Sequence, residues 1–187
     1  MIDRREAMAG ALALGLAGRA AAQGLPDLAA GSRRHLIMRH ALAPGYSDPA
    51  GFEIDDCSTQ RNLDDRGRAQ ARETGERLAE AGVAVDRVLS SRWCRCLDTA
   101  RLLNLGPVEE AEPLDSFFEA RERRDAQTEA LKALLLGLEP SVACMLVTHQ
   151  VNVSALIGRS ATSGEVYAFE IDGDGTTRVL GELLVPA

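Results

Sequence analysis

Leu36-Ile37-Met38-Arg39-His40 is the stretch on which the reading of this chain turns. A short apolar run, read as a strand over Arg33 to Arg39, stops abruptly at a guanidinium and an imidazole. In α/β proteins the carboxyl end of a strand is where ligands bind. The chain has only three histidines: His35, His40 and His149. His149 also ends an apolar run, Cys144-Met145-Leu146-Val147-Thr148. Two histidines at two strand ends, with arginines beside them, point to an anion site that contains a nucleophile. His35 reads as an ordinary strand residue.

The rest of the chain supplies the elements such an edge needs. Residues 41–62 carry Pro44-Gly45, Asp48-Pro49 and Gly51, the composition of a loop that overhangs His40. Asp64 can cap a helix running to about Ala81, with Gly67, Ala71, Gly75 and Leu78 as a small-residue stripe. Val83 to Leu89 reads as a second strand and Arg92 to Leu103 as a second helix. Val108 to Ala111 follows as a short strand, then a third helix over 122–138, then a buried strand over Val142 to Thr148. A helix begins at Val151. Glu165 to Ile171 and Thr177 to Val185 form a closing hairpin around Asp172-Gly173-Asp174-Gly175. Strands alternating with helices predict a three-layer α/β/α sandwich with a mostly parallel sheet.

Composition narrows the function. At 187 residues the chain suits one domain with a real core. The net charge of -7 argues against nucleic acid or an anionic membrane as partner. An anionic substrate would need a local basic pocket, and 20 of the 21 basic residues are arginine.

Residues 1–22 differ from the rest. Arg4-Arg5 precede an apolar stretch from Ala7 to Gly18, and small residues follow at Ala20-Ala21-Ala22. This reads as an export signal of the twin-arginine type, followed by a linker over 23–32 and the domain over 33–187. The stretch is short for a membrane span, so no stable anchor is expected and the protein should be periplasmic or secreted. Cys57, paired with Cys94 or Cys96, is the expected disulfide, and Cys144 reads as a buried small hydrophobe. Cys-x-Cys is not a zinc spacing, so neither metal nor cofactor is expected.

Four segments in order resemble the histidine phosphatase superfamily, the phosphoglycerate-mutase-like fold. They are Arg39-His40; Leu63-Asp64-x-x-Gly67-x-x-Gln70-Ala71; Ser90-Ser91-Arg92-Trp93-Cys94-Arg95-Cys96-Leu97-Asp98-Thr99-Ala100; and Val147-Thr148-His149. The resemblance implies that His40 is the nucleophile and that His149 stabilises the developing charge. Arg39 and Arg95 would clamp the phosphoryl oxygens, since an arginine fork binds two oxygens where lysine binds one. The implied activity is phosphomonoester hydrolysis through phosphohistidine. The substrate would be a phosphorylated small molecule or, given export, an envelope glycolipid or sugar phosphate.

Departures from the family pattern mark the open points. Ser116 stands where the family often has glutamate, leaving Asp115, favoured here, or Glu119 as general acid. Arg92 replaces a usual proline and either joins the pocket or is solvated. Gln60 and Arg61 are expected to face solvent. Two rivals remain: a phosphohistidine phosphoprotein phosphatase, and a non-catalytic phosphate-binding module. Oligomeric state cannot be read from the sequence.

Overall fold

The computed structural model describes residues 33–187 together with Leu25. The expected export signal over 1–22 and, apart from Leu25, the expected linker lie outside the described residues. The strands are β1 (Arg34–Arg39), β2 (Arg87–Ser90), β3 (Val108–Glu110), β4 (Cys144–Thr148), β5 (Val166–Ile171) and β6 (Thr177–Leu183). The α-helices are α1 (Asp65–Glu80), α2 (Cys94–Leu103), α3 (Arg124–Leu136) and α4 (Gln150–Ile157).

The six strands form one sheet in the order β3-β2-β4-β1-β5-β6. β1 to β4 are parallel, and β5 and β6 add an antiparallel hairpin at one edge. The period of two in the strands divides the core between the two faces. Ile37, Leu89 and Leu146 pack with Leu131 and Leu135 of α3 and Val153 and Leu156 of α4. Leu36, Met38, Met145 and Val147 pack with Leu78 of α1 and Ala100 and Leu103 of α2. These are the expected three layers, with β1 and β4 buried on both sides.

The small-residue stripe of α1 has a steric reason. A Cβ on Gly67 would lie 1.9 Å from the Leu42 carbonyl oxygen, and one on Gly75 would lie 2.1 Å from that of Leu103. Both contacts are to backbone, so α1 approaches α2 and the chain after His40 only where no side chain intervenes. The Asp64 side chain accepts the Gly67 N–H at 2.7 Å and caps α1 as expected, a contact worth about 1 kcal/mol.

Several element boundaries differ from expectation, α2 and β4 each starting two residues later, and two of the differences have a local cause. β2 begins at Arg87, not Val83, because Gly82 (φ 73°) reverses the chain and Val83 N–H returns to the Leu78 carbonyl. Ladder pairing starts only where Arg87 meets Cys144. Residues Arg121–Arg123 form a 3-10 turn before α3, which therefore starts at Arg124.

Cys57 is bonded to Cys94, while Cys96 and Cys144 are free and buried. The bond ties a 3-10 turn in the overhanging loop to the first residue of α2 across a sequence separation of 37. Replacing Cys57 and Cys94 by serine should lower unfolding stability by about 2–4 kcal/mol, read from urea denaturation. An unchanged midpoint and slope would show that the loop needs no such tie.

Candidate active site

The parallel register brings the functional residues together. His40 N–H donates to the Thr148 carbonyl at 2.9 Å, and Ser91 N–H donates to that of Val147 at 3.0 Å. The carboxyl ends of β1, β4 and β2 therefore present His40, His149 and Ser91 side by side. The chain after His40 is pinned by motif residues. Ala41 N–H donates to Thr99 Oγ1 at 3.0 Å, and Leu42 N–H donates to Gln70 Oε1 at 2.9 Å. Gln70 in turn donates to the Ser163 and Val185 carbonyls.

His40 is buried, and its Nδ1 lies 2.8 Å from the Ala41 carbonyl oxygen. A carbonyl can only accept, so Nδ1 carries the proton and Nε2 keeps its lone pair. Burial, then the Arg95, Arg39 and Arg61 charges, hold the imidazole well below the ordinary histidine range despite the opposing Ala41 bond. His40 is thus neutral near pH 7, the state a nitrogen nucleophile needs.

Besides the exposed Arg123, three arginines line the same cleft: Arg39, Arg61 and Arg95. Each is tethered at one end by a protein acceptor. Arg39 Nη1 donates to the Ala161 carbonyl at 3.2 Å, Arg61 Nη1 to that of Ala43, and Arg95 Nη1 to Asp48 Oδ1 at 2.7 Å. The Nε–H of each is buried without a partner among the described residues. Buried N–H groups are rarely left unpaired, and the three side chains that carry these line one cleft, which suits the oxygens of an anion.

Asp48 orders this clamp. Besides Arg95, it accepts Arg61 N–H at 3.0 Å and Trp93 Nε1–H at 3.0 Å. Burial alone would raise its pKa, but the Arg95 hydrogen bond and charge outweigh that and hold the carboxyl below its usual range. A buried, hydrogen-bonded pair of this kind is costly to break from one side, by about 3–5 kcal/mol.

His149 completes the group. Its ring meets His40 edge to face at 5.5 Å, and its Nδ1 lies 3.5 Å from Arg95 Nη2. Burial, then Arg95 and His40, hold it too well below the ordinary range. The cleft of about 620 Å³ is far larger than a phosphoryl group, and its outer wall is aromatic. Tyr46 and Phe118 meet edge to face at 5.5 Å, and Phe52 lies 5.6 Å from Trp93.

Arg39, His40, Arg95 and His149 are therefore brought together; Asp115 is not with them. Its carboxylate is 2% exposed and does not line the cleft. Oδ1 accepts Arg92 N–H at 2.9 Å and the Ser91 hydroxyl at 3.2 Å, and Oδ2 accepts Arg92 Nε–H at 2.8 Å. The arginine in place of proline supplies the fork that captures Asp115, so Arg92 neither joins the pocket nor stands free. Ser116 and Glu119 line the cleft, Glu119 at its exposed rim.

Solvent exposure of Gln60 and Arg61 is also corrected. Gln60 is buried, donating to the Glu53 and Ile54 carbonyls and accepting Cys94 N–H. Arg61 is turned inward by the Asp48 and Ala43 contacts. The sequence signal for Arg61 was a lone basic residue just before a capped helix. Asp48 gave none, since Asp-Pro reads as a turn. Among the described residues, no group of three or more His, Cys, Asp or Glu side chains is placed to share a metal ion.

Comparison with known proteins agrees with this geometry. The family model described as "Histidine phosphatase superfamily (branch 1)" matches residues 36–124. "Serine/threonine-protein phosphatase Pgam5, mitochondrial" of Drosophila virilis is 39% identical over 73 residues, covering 38% of this chain. The chain thus matches only 22% of the length of that curated relative. Among solved structures, "the protein histidine phosphatase SixA complexed with tungstate" aligns with a TM-score of 0.58 at 20% identity, covering 80% of this chain and 96% of that one. A mycobacterial glucosyl-3-phosphoglycerate phosphatase aligns at 0.58 and 19% identity, covering 79% and 97%. The family match over residues 36–124 takes in His40, α1, Arg95 and α2, and the solved structures share the fold around them.

Proposed function

We propose that this protein is a phosphatase that passes a phosphoryl group from its substrate to His40 Nε2 and then to water. One observation carries the reading: the Ala41 carbonyl holds the Nδ1–H tautomer of His40 beside three inward-facing guanidinium groups. The Nε2 lone pair attacks phosphorus, the P–N bond forms and the bond to the leaving group breaks. Arg39, Arg61 and Arg95 hold the outer oxygens, and His149 stabilises the charge beside them. Water then attacks the phosphohistidine, releasing inorganic phosphate and restoring His40.

No carboxylate stands free beside the nucleophile to protonate a leaving oxygen. Asp115 is taken up by Arg92 and Ser91, and Glu119 is exposed at the rim. General acids contribute about 10²–10⁴-fold where a poor leaving group must be protonated. Aryl phosphates should therefore turn over about a hundredfold faster than alkyl phosphates. Asp115→Asn and Glu119→Gln should each leave that ratio unchanged. A selective loss on alkyl phosphates in Glu119→Gln would assign it the acid's role.

The same feature favours a second reading, a phosphohistidine on a protein, whose leaving imidazole needs less help than an alkoxide. The solved structure of similar fold is named a protein histidine phosphatase. A panel of sugar phosphates, nucleotides, envelope glycolipids and a phosphohistidine protein separates the two.

Export is part of the proposal and rests on Arg4-Arg5 and the apolar stretch that follows. Protein recovered from the envelope should begin near Gln23, and replacing Arg4-Arg5 by lysines should stop delivery. Full-length protein accumulating in the cytoplasm would instead support the phosphoprotein reading.

A further inference from the structure

The surroundings of His149 Nε2 fix where its proton lies. Two groups approach that nitrogen: Ser91 Oγ at 2.9 Å and Cys96 Sγ at 3.4 Å. Each has one hydrogen to give, and each has another acceptor. The Ser91 hydroxyl donates to Asp115 Oδ1 at 3.2 Å, and the Cys96 thiol donates to the Thr148 carbonyl at 3.6 Å. Burial pushes the Cys96 thiol up to about 12, so it keeps its hydrogen. Ser91 Oγ also accepts Trp93 N–H at 3.3 Å, which leaves one lone pair for the imidazole. Asp115 cannot turn the pattern round, because its carboxylate, bonded to the Arg92 fork, can only accept. On the other side of the ring Arg95 Nη2 can only donate, so Nδ1 accepts and the hydrogen between Ser91 and His149 sits on Nε2.

His149 Nδ1 is then a bare lone pair on the clamp side, facing Arg95 Nη2 at 3.5 Å. That arrangement pairs the imidazole with Arg95. It does not suit an anion, whose oxygens would meet lone pair with lone pair unless a proton lies between them. We propose that Ser91 and Asp115 are positioning residues that hold His149 as the Nε2–H tautomer, so that binding a phosphoryl-like dianion draws one proton onto Nδ1. The imidazolium then donates from both nitrogens, to Ser91 on one side and to the anion on the other. The other charged or titratable groups around the ring are Arg39, Arg61, Arg95 and His40 on the cleft side and Cys96 from α2. A guanidinium has no lone pair to take up a further proton, which leaves His40 as the competing proton acceptor.

The inference rests on the anion-site reading and not on turnover, and sulfate tests it because sulfate does not titrate near neutrality. Nitrogen-15 spectra of histidine-labelled protein resolve three imidazoles. In the resting protein His40 should carry its proton on Nδ1 and His149 on Nε2. Saturation with sulfate should protonate His149 Nδ1 while His40 Nε2 stays bare. Calorimetry in buffers of different ionisation enthalpy should show close to one proton taken up per sulfate, and affinity falling about tenfold per pH unit above neutrality. His40→Ala should keep that uptake. Ser91→Ala should lose it, with affinity nearly independent of pH, and Asp115→Asn should weaken it. A resting Nδ1–H signal at His149 overturns the proposal even if no variant folds. So does sulfate binding without proton uptake, or uptake lost in His40→Ala. If the wild-type protein binds no sulfate at all, the anion site falls, and this inference with it.

Discussion

His40→Ala is expected to lower kcat by on the order of 10⁶-fold, the scale on which covalent catalysts lose activity with their nucleophile. No other nitrogen in the clamp is free to attack. Arg39, Arg61 and Arg95 are cationic, and the one lone pair of His149, on Nδ1, is met by Arg95 Nη2 at 3.5 Å. The variant should still bind vanadate or phosphate, because the three guanidinium groups remain. Loss of turnover with retained binding separates a missing nucleophile from a collapsed site. Wild-type protein quenched during turnover should carry an acid-labile, base-stable phosphate on His40. The pH profile adds an independent check. The lowered His40 and His149 pKa values keep both rings neutral through the neutral range. Once the substrate's own ionisation is accounted for, the acid limb of kcat/KM should therefore lie below the ordinary histidine value of 6.5. Activity is lost as pH falls through that lowered value. Turnover by His40→Ala within tenfold of wild type would end the phosphohistidine mechanism.

Arg95→Lys should have the next largest effect, with kcat/KM falling about a hundredfold. Arg95 does three things at once. Nη1 is held by Asp48 at 2.7 Å and by the Arg61 carbonyl at 3.3 Å, Nη2 reaches His149, and Nε–H is buried without a partner among the described residues. A planar fork can meet all of these at once, whereas an ammonium is a point charge on a flexible stem. Lysine can keep the Asp48 ion pair and so preserve the fold while losing the donors aimed at substrate. The loss should therefore appear with little change in unfolding stability. Unchanged kcat/KM would place Arg95 outside the working clamp and leave Arg39 and Arg61 to bind the anion.

Much of the fold was legible because its signals are local. The apolar runs at Leu36–Met38 and Cys144–Val147 are buried on both faces of the sheet, as uninterrupted hydrophobic strands must be. The Gly67-Ala71-Gly75-Leu78 stripe marked the face of α1 that lies against backbone. His40, His149, Arg39 and Arg95 could be named because their motifs occur in order and each sits at a strand end or helix start. Element boundaries were less legible. Nothing local in Val83-Ala84-Val85 says that Asp86 will accept Ala143 N–H and delay β2 to Arg87.

The sequence by itself determined the alternation of strands and helices, the two strand-end histidines, and the arginine that precedes the first of them. Those depend on hydrophobic period and on residue identity, which a chain carries before it folds. Only the tertiary structure decided which charges meet. Asp48 finds Arg95 across 47 positions, and Arg92 takes Asp115 across 23. The first pairing turns Arg61 inward and the second removes the expected acid from the cleft. Pairing partners for buried charges are chosen by desolvation, because a charge taken out of water must find a counter-charge within reach. Which one lies within reach depends on the packing of β2, α2 and the loop over 41–62, a long-range property that residue order does not display.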